Sequence, residues 1–396
     1  ELTRLAPSDN SWKDKKTKTV KYGVNWNSPA QVADVLFNRF KLSPLDRTGG
    51  GAFSTSESVL KRLASKHPLP GWLLKFREAD KQLSTFIDSW LGKIDERNRL
   101  HPSFKLHGTV TGRLSCEKPN LQQVPRDKRI RSLVTAPPGW VLVEADYSQV
   151  ELRIAAELSR DPELLLAYQT GLDVHTITVQ RIFGIAKPTP EERKKGKAIN
   201  FGFIYGMGHN KFQQYALDNY DTVFDESESK RIRKGFFSLY YGLPDWHKKQ
   251  RQFAHGAGYV RSLIGRKRRL PMLFEASMAY DDLTPEQREA QRQAVNSPVQ
   301  SLASDMNLTA AVELSSMFSR QFFQVVGLIH DATLFYVRRD KLKEVLPVIK
   351  RVMERPKKFD EWEVELSVPI IVDVKVGEAW GSGQEIKDVD QYIQTL

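Results

Sequence analysis

Two aspartates stand where apolar runs end. Asp146 closes the run 141–145 (VLVEA), and Asp331 lies beside His330 between 325–329 (VVGLI) and 333–337 (TLFYV). A carboxylate at the end of an apolar strand is costly to desolvate unless something pairs with it, and a divalent cation is one such partner. If the three strands lie side by side, both aspartates reach the same sheet edge. Two ions about 4 Å apart on such an edge stabilise the attacking and leaving oxygens of an in-line phosphoryl displacement. The competing reading is plain turn capping, which aspartate does often.

A second constellation lies at 193–207 (RKKGKAINFGFIYGM). Arg193, Lys197, Phe201 and Tyr205 recur every four residues, which on an α-helix makes one slowly drifting stripe. It runs from two cations to two aromatic rings. A nucleoside triphosphate has the matching chemistry, polyanionic at one end and flat at the other. A helix with a wet basic end and a buried aromatic end would have the same pattern.

The elements that must position these residues can be sketched from periodicity and punctuation. A helical pattern covers 29–40, with Asn27 and Ser28 as candidate caps. The glycine-rich 48–52 lacks the lysine of a phosphate-binding loop and reads as a linker. Residues 57–92 read as two helices broken at His67–Gly71, with a basic surface of Lys61, Arg62, Lys66, Lys75, Arg77 and Lys81. The stretch 107–138 has little regular pattern. A short strand then leads into a helix at 148–158, and 159–255 is mostly helical. A hairpin turning near Gly265, a polar insertion at 280–288, a long helix at 289–318 interrupted at Pro298, and a last strand at 368–376 complete the chain.

Composition bounds the partners. The 396 residues are 40% hydrophobic with a formal net charge of +12, which fits a globular protein facing a polyanion. No apolar run approaches the roughly 18 residues of a membrane span, and no secretion signal is visible. The single cysteine, Cys116, allows no internal disulfide and is expected to be a small packed residue in a reducing, intracellular setting. Because the first residue is Glu1, a fragment or processed product is expected. Residues 8–21 read as a polar, basic lead-in.

Several segments, in order, resemble family A DNA polymerases. They are DYSQVELR at 146–153, RKKGKAINFGFIYG at 193–206, His330-Asp331 between its strands, TGRLS at 111–115 with PNLQQVP at 119–125, and FSTSESVLKRLASKHPLP at 53–70 with KQLSTF at 81–86. The resemblance runs from about Tyr22 to Trp380. It implies an α+β right-hand fold with an antiparallel palm sheet, helical fingers and a helical thumb. Residues 1–21 would be the lead-in, 22–92 the thumb, 93–158 and 289–396 the palm, and 159–288 the fingers.

The same resemblance implies roles. Asp146, Asp331 and the backbone carbonyl of Tyr147 would hold two Mg²⁺ ions, with Mn²⁺ an acceptable substitute. Arg193, Lys197 and His175 would meet the triphosphate, Lys197 also as a proton donor to pyrophosphate. Phe201, Tyr205 and Glu151 would meet the base and sugar. Arg113, Gln300 and His330 would contact the minor groove or primer terminus, and Asn120, Gln122, Arg292 and Asn296 would contact template and primer. Minor-groove acceptors are common to all correct pairs, so these contacts test pair shape without reading sequence. Primer-template DNA and dNTPs are the implied partners of a monomer that acts without proofreading.

The chain departs from the family at Ala332, where the motif normally has glutamate. Activity is expected to survive on Asp146 and Asp331 with weaker metal affinity. The alternatives are a primer-template binding protein disabled by Ala332, or a polymerase that also copies RNA. Phe201 has no hydroxyl to donate, so the chain is expected to discriminate against dideoxynucleotides, a preference that Phe201→Tyr should relax.

Overall fold

The computed structural model describes residues 1–6, the backbone of 11–13, and 19–396. The lead-in expectation for 8–21 falls largely outside the described residues. The chain divides into two compact units, 1–97 and 98–396.

The first unit is helical. Ser28 caps the helix Pro29–Ala33, which continues as a π-helix, Asp34–Arg39. Ser56 caps Glu57–Leu63. The predicted turn at 67–71 is instead a helix start: His67 caps Pro68–Lys81, whose prolines occupy the first turn, where the missing N–H costs nothing. Val32, Leu36, Leu60, Leu63, Leu69 and Leu73 form the core of this unit. The glycine-rich 48–52 is a tight loop rather than a linker, closed by a bridge between Arg47 and Phe53. Arg77 is not part of a free basic surface, since it donates to the Thr55 carbonyl and hydroxyl and is partly buried.

The second unit is built on a five-stranded antiparallel sheet. Its order is Gln384–Ile386, Val372–Gly377, Trp140–Tyr147, Ala332–Arg338 and Phe323–Ile329. A short run of apolar residues explains the central strand, which is buried on both faces: Leu142 is covered as well as Val141, Val143 and Ala145, while Asp146 near its end faces solvent. The helix Pro285–Met317 packs on this sheet. Thr284 and Gln287 start it with a capping box, and it runs through Pro298 without a break, contrary to the expected interruption. Its 33 residues offset the hydrogen bond that Pro298 removes by burying Ala294, Val295, Val299, Leu302 and Met306.

Between the central strand and the long helix lie seven helices, including Val150–Ser159, Val174–Phe183 and Pro190–Phe203, and a hairpin of Tyr259–Arg261 with Lys267–Arg269 that turns at Gly265. Phe203, Phe212, Phe236 and Tyr240 knit the helices together. Gly196 lets two helices approach closely, because a Cβ there would overlap the backbone of His175 and stand 2.9 Å from Val179 Cγ2. Among the described residues no helix is long and apolar enough to cross a membrane. Cys116 is buried, and its thiol is pushed up by burial.

Candidate active site

The three strands that carry the aspartates do lie side by side. Asp146 pairs across the sheet with Ala332 on one side and Asp373 on the other. Tyr147 N donates to the Asp331 carbonyl at 3.1 Å, so Asp331 sits in the turn next to the end of the central strand. That turn needs His330 at φ 57°, and Asn307 on the long helix braces it. Asn307 donates to the His330 carbonyl at 3.3 Å and accepts from the Thr333 hydroxyl at 2.6 Å.

The electrostatics of this edge are unfavourable to two bare carboxylates. Crowding by the surrounding protein pushes the Asp146 carboxyl up to about 6, and the negative charges of Asp331, Glu144 and Asp373 add to it while Lys375 opposes. Asp146 still meets solvent, so the shift reflects thinned hydration and like-charge neighbours rather than full enclosure. Burial also raises Asp331, partly offset by Arg113, whose Nη2 lies 3.6 Å from Oδ1. Asp146 makes no side-chain hydrogen bond or ion pair among the described residues. A divalent cation would relieve both carboxylates, and hard oxygen donors are what Mg²⁺ takes. Ala332 leaves the set thin: no cluster of three or more His, Cys, Asp or Glu suited to a metal occurs among the described residues.

Glu151 ties the two constellations together. Arg113 Nη2 pairs with its Oε1, and the Tyr205 hydroxyl donates to Oε2 at 2.6 Å. Burial and the adjacent Glu151 charge push the Tyr205 phenol well above its ordinary value. Tyr205 is not on the helix stripe, because Pro190–Phe203 is capped at Ile204 and Tyr205 falls in the turn beyond it. Arg193, Lys197 and Phe201 do share the helix, which starts with a Thr189–Glu192 capping box.

At the cationic end, Arg193 Nε and Nη2 each donate to Asp173 at 2.8 Å. Burial would raise the Asp173 carboxyl, but hydrogen bonds from Arg193 and Thr176 outweigh it and hold it at about 2. Lys197 is lowered by burial and by Arg193. His175 is 1% exposed and packs against Phe201 with ring centroids 5.7 Å apart. Burial lowers it to about 4; Asp173 opposes, while Arg193 and Lys197 reinforce.

The predicted primer-template residues divide. Arg113, Gln122 and His330 line one small cavity of about 30 Å³ together with Ser304, Asn307 and Leu328. Gln122 Nε2 already donates to the Leu328 carbonyl at 3.1 Å, and Asn120 Oδ1 caps the turn Leu121–Gln123. Arg292, Asn296 and Gln300 form a separate i, i+4, i+8 row on the long helix. Arg292 is paired with Glu289, and Asn296 Oδ1 is buried without a partner.

Sequence reasoning missed Asp173, Arg126, Asn200 and the Arg266–Asp305 pair. Arg126 is near enough to help lower Lys197. Arg266 Nε donates to Asp305 at 2.9 Å, and its guanidinium lies against Gly112 at φ 85°, a close approach that excludes a side chain there. Ser304 donates to the Gly112 carbonyl at 3.0 Å, so the loop that carries Arg113 is clamped. The Asp173–Thr176 spacing of a helix cap was the one available signal for Asp173.

Comparison with known proteins shows the family and the fold. The family model for DNA polymerase family A matches residues 4–382, and the chain belongs to that family. It has the family's α+β polymerase fold. It is 34% identical over 369 residues to the thermostable DNA polymerase I of Thermus aquaticus, covering 91% of this chain and 42% of that protein. It is 32% identical over 373 residues to DNA polymerase I of Rhizobium leguminosarum, covering 90% of this chain and 35% of the relative. The chain thus spans about two fifths of these relatives. A solved structure, the POL domain of Pol1 from M. smegmatis in complex with DNA primer-template and dNTP, superposes with a TM-score of 0.80 at 30% identity. That match covers 91% of this chain and 62% of the other.

Proposed function

We propose that this chain carries out template-directed DNA synthesis, adding deoxynucleotides to a primer 3′-hydroxyl, and that these residues do so without proofreading. The observation that carries the reading is the meeting of Asp146 and Asp331 at one sheet edge, next to a Glu151 held by Arg113 and Tyr205.

Asp146, Asp331 and the carbonyl of Tyr147 are the groups that would hold divalent metal. When bound, it would supply charge stabilisation to the attacking and leaving oxygens. The chain's own residues do the rest. Arg193 keeps its Nη1 edge open while Asp173 occupies Nε and Nη2, so a phosphate can bind without breaking that pair. Lys197, lowered by burial, sits one turn further along as the proton donor for departing pyrophosphate. Phe201 offers a stacking face. Glu151 and Tyr205 fill the space that a ribose 2′-hydroxyl would need, which favours dNTPs. Arg113 and His330, beside Gln122, suit the minor-groove side of the nascent pair, as does Gln300 from the long helix, and Asn120, Arg292 and Asn296 suit the strands. Residues 22–92 are assigned as thumb, 93–158 and 289–396 as palm and 159–288 as fingers, acting as a monomer.

Primer extension with Mg²⁺ on matched DNA and RNA templates, with dNTPs or NTPs, tests the reading. Extension on DNA with dNTPs is expected, abolished by Asp331→Asn. Binding of primer-template without extension would instead establish a binding protein disabled by Ala332.

A further inference from the structure

Asn200 lies on the buried side of the helix Pro190–Phe203, and nothing in the reading above uses it. Its side chain is 1% exposed. Its Nδ2 stands 2.8 Å from His175 Nδ1 and 3.4 Å from the Val174 carbonyl. Its Oδ1 is 2.7 Å from the Thr178 hydroxyl, which is itself 2.8 Å from the Tyr240 hydroxyl. A carbonyl only accepts, so the atom of Asn200 that faces both Val174 O and His175 Nδ1 must be the NH₂ group, with its two donors. The Thr178 side then receives the amide oxygen. With an N–H pointed at it, His175 Nδ1 has to be the accepting, unprotonated nitrogen. The ring proton is left on Nε2, which has no hydrogen-bond partner among the described residues.

Nε2 is not itself sealed from solvent, unlike Asn296 Oδ1, so its N–H is open to an acceptor arriving from outside. The charged groups facing the ring are Asp173 from its own helix and Arg193 and Lys197 from the neighbouring one. The helix Glu226–Leu239 contributes only the adjoining Tyr240 phenol, through Thr178. Two cations beside an unfilled donor fit an anionic oxygen. We propose that Asn200 is a positioning residue that fixes His175 in its Nε2–H tautomer, so that the ring meets a phosphate oxygen of the incoming nucleotide as a neutral donor. The proposal rests on the nucleotide-binding reading of His175 given above. The low value of about 4 for His175 agrees with a ring that stays uncharged at neutral pH.

The consequence is a phosphate contact that does not titrate near neutrality, although histidine ordinarily does. Asn200→Asp would invert this. A carboxylate at the same place accepts from Nδ1–H, stabilises the doubly protonated ring and makes the contact charge-assisted at low pH.

The test uses the full chain with primer-template and a correct dNTP. In the unaltered protein, nitrogen NMR of the labelled imidazole should show Nδ1 unprotonated and Nε2 protonated from pH 6 to 8. An Nδ1–H tautomer, or an imidazolium at pH 7, overturns the role of Asn200. In Asn200→Asp, dNTP affinity relative to the unaltered protein at each pH should be about fivefold tighter at pH 6 than at pH 8.5. A ratio that does not change with pH also overturns it. His175→Ala tests the underlying reading separately. Weaker dNTP binding supports the phosphate contact. Unchanged binding removes that contact and the proposal with it, whichever tautomer the NMR shows.

Discussion

Replacing Asp146 with asparagine should make the protein more stable while abolishing synthesis. Asp146 is held at about 6 against an ordinary 3.8, because the fold crowds its carboxylate and sets Asp331, Glu144 and Asp373 around it. A difference of that size corresponds to about 3 kcal/mol at about 1.4 kcal/mol per pH unit. The side chain still meets water, so screening reduces the figure to roughly 1 kcal/mol. The sign follows from linkage. A carboxyl raised in the folded state binds more protons there than in the unfolded chain between pH 3.8 and about 6, so stability falls as pH rises through that window. The substituted asparagine carries no charge and gives up no side-chain hydrogen bond. Without divalent metal, Asp146→Asn should therefore raise the midpoint of thermal unfolding by about 1–2 °C at pH 7.5 and by nothing measurable at pH 4. Mg²⁺ should narrow the gap by stabilising the unaltered protein alone. An Asp146→Asn protein that is equally or less stable at pH 7.5 would refute the electrostatic picture of this edge.

Other perturbations probe separate parts of the account. Ala332→Glu places a third carboxylate directly across the sheet from Asp146. It should lower the Mg²⁺ concentration for half-maximal extension by about fivefold or more, and an unchanged Mg²⁺ titration would mean the position is silent. Gly196→Ala pushes a methyl into the backbone of His175 and the side chain of Val179. It should cost about 1–3 kcal/mol and raise the KM for dNTP, read by calorimetry and steady-state kinetics. Phe201→Tyr should increase dideoxynucleotide incorporation in a competition assay without loss of stability, since Phe201 is only half-buried.

What could be read from the sequence was what rests on local pattern. The apolar runs before Asp146 and on either side of Asp331 are three neighbouring strands of the sheet, because short runs of apolar and β-branched residues suit a buried pleated surface. Arg193, Lys197 and Phe201 share a helix face because the four-residue spacing demands it. The misreadings arose where a tertiary contact or a cap outweighed a local signal. Pro298 stays inside an unbroken helix because the flanking residues are buried along most of its length. His67–Gly71 opens a helix because its prolines occupy the positions that need no N–H. Tyr205 leaves the stripe because the helix ends two residues before it, and its contact with Glu151 then comes from the turn. Partners brought together across long sequence separations, such as Asp173 with Arg193, Asn200 with His175 and Arg266 with Asp305, carry no signal in a single sequence.

The most direct measurement of the central claim is Mn²⁺ binding to the complex of this chain with primer-template and dNTP, followed by electron paramagnetic resonance alongside primer extension. The unaltered protein should bind the ion and extend the primer. Asp146→Asn and Asp331→Asn should each lose both properties while still binding primer-template. Extension that persists in either variant, or Mn²⁺ binding that neither substitution weakens, would contradict the account.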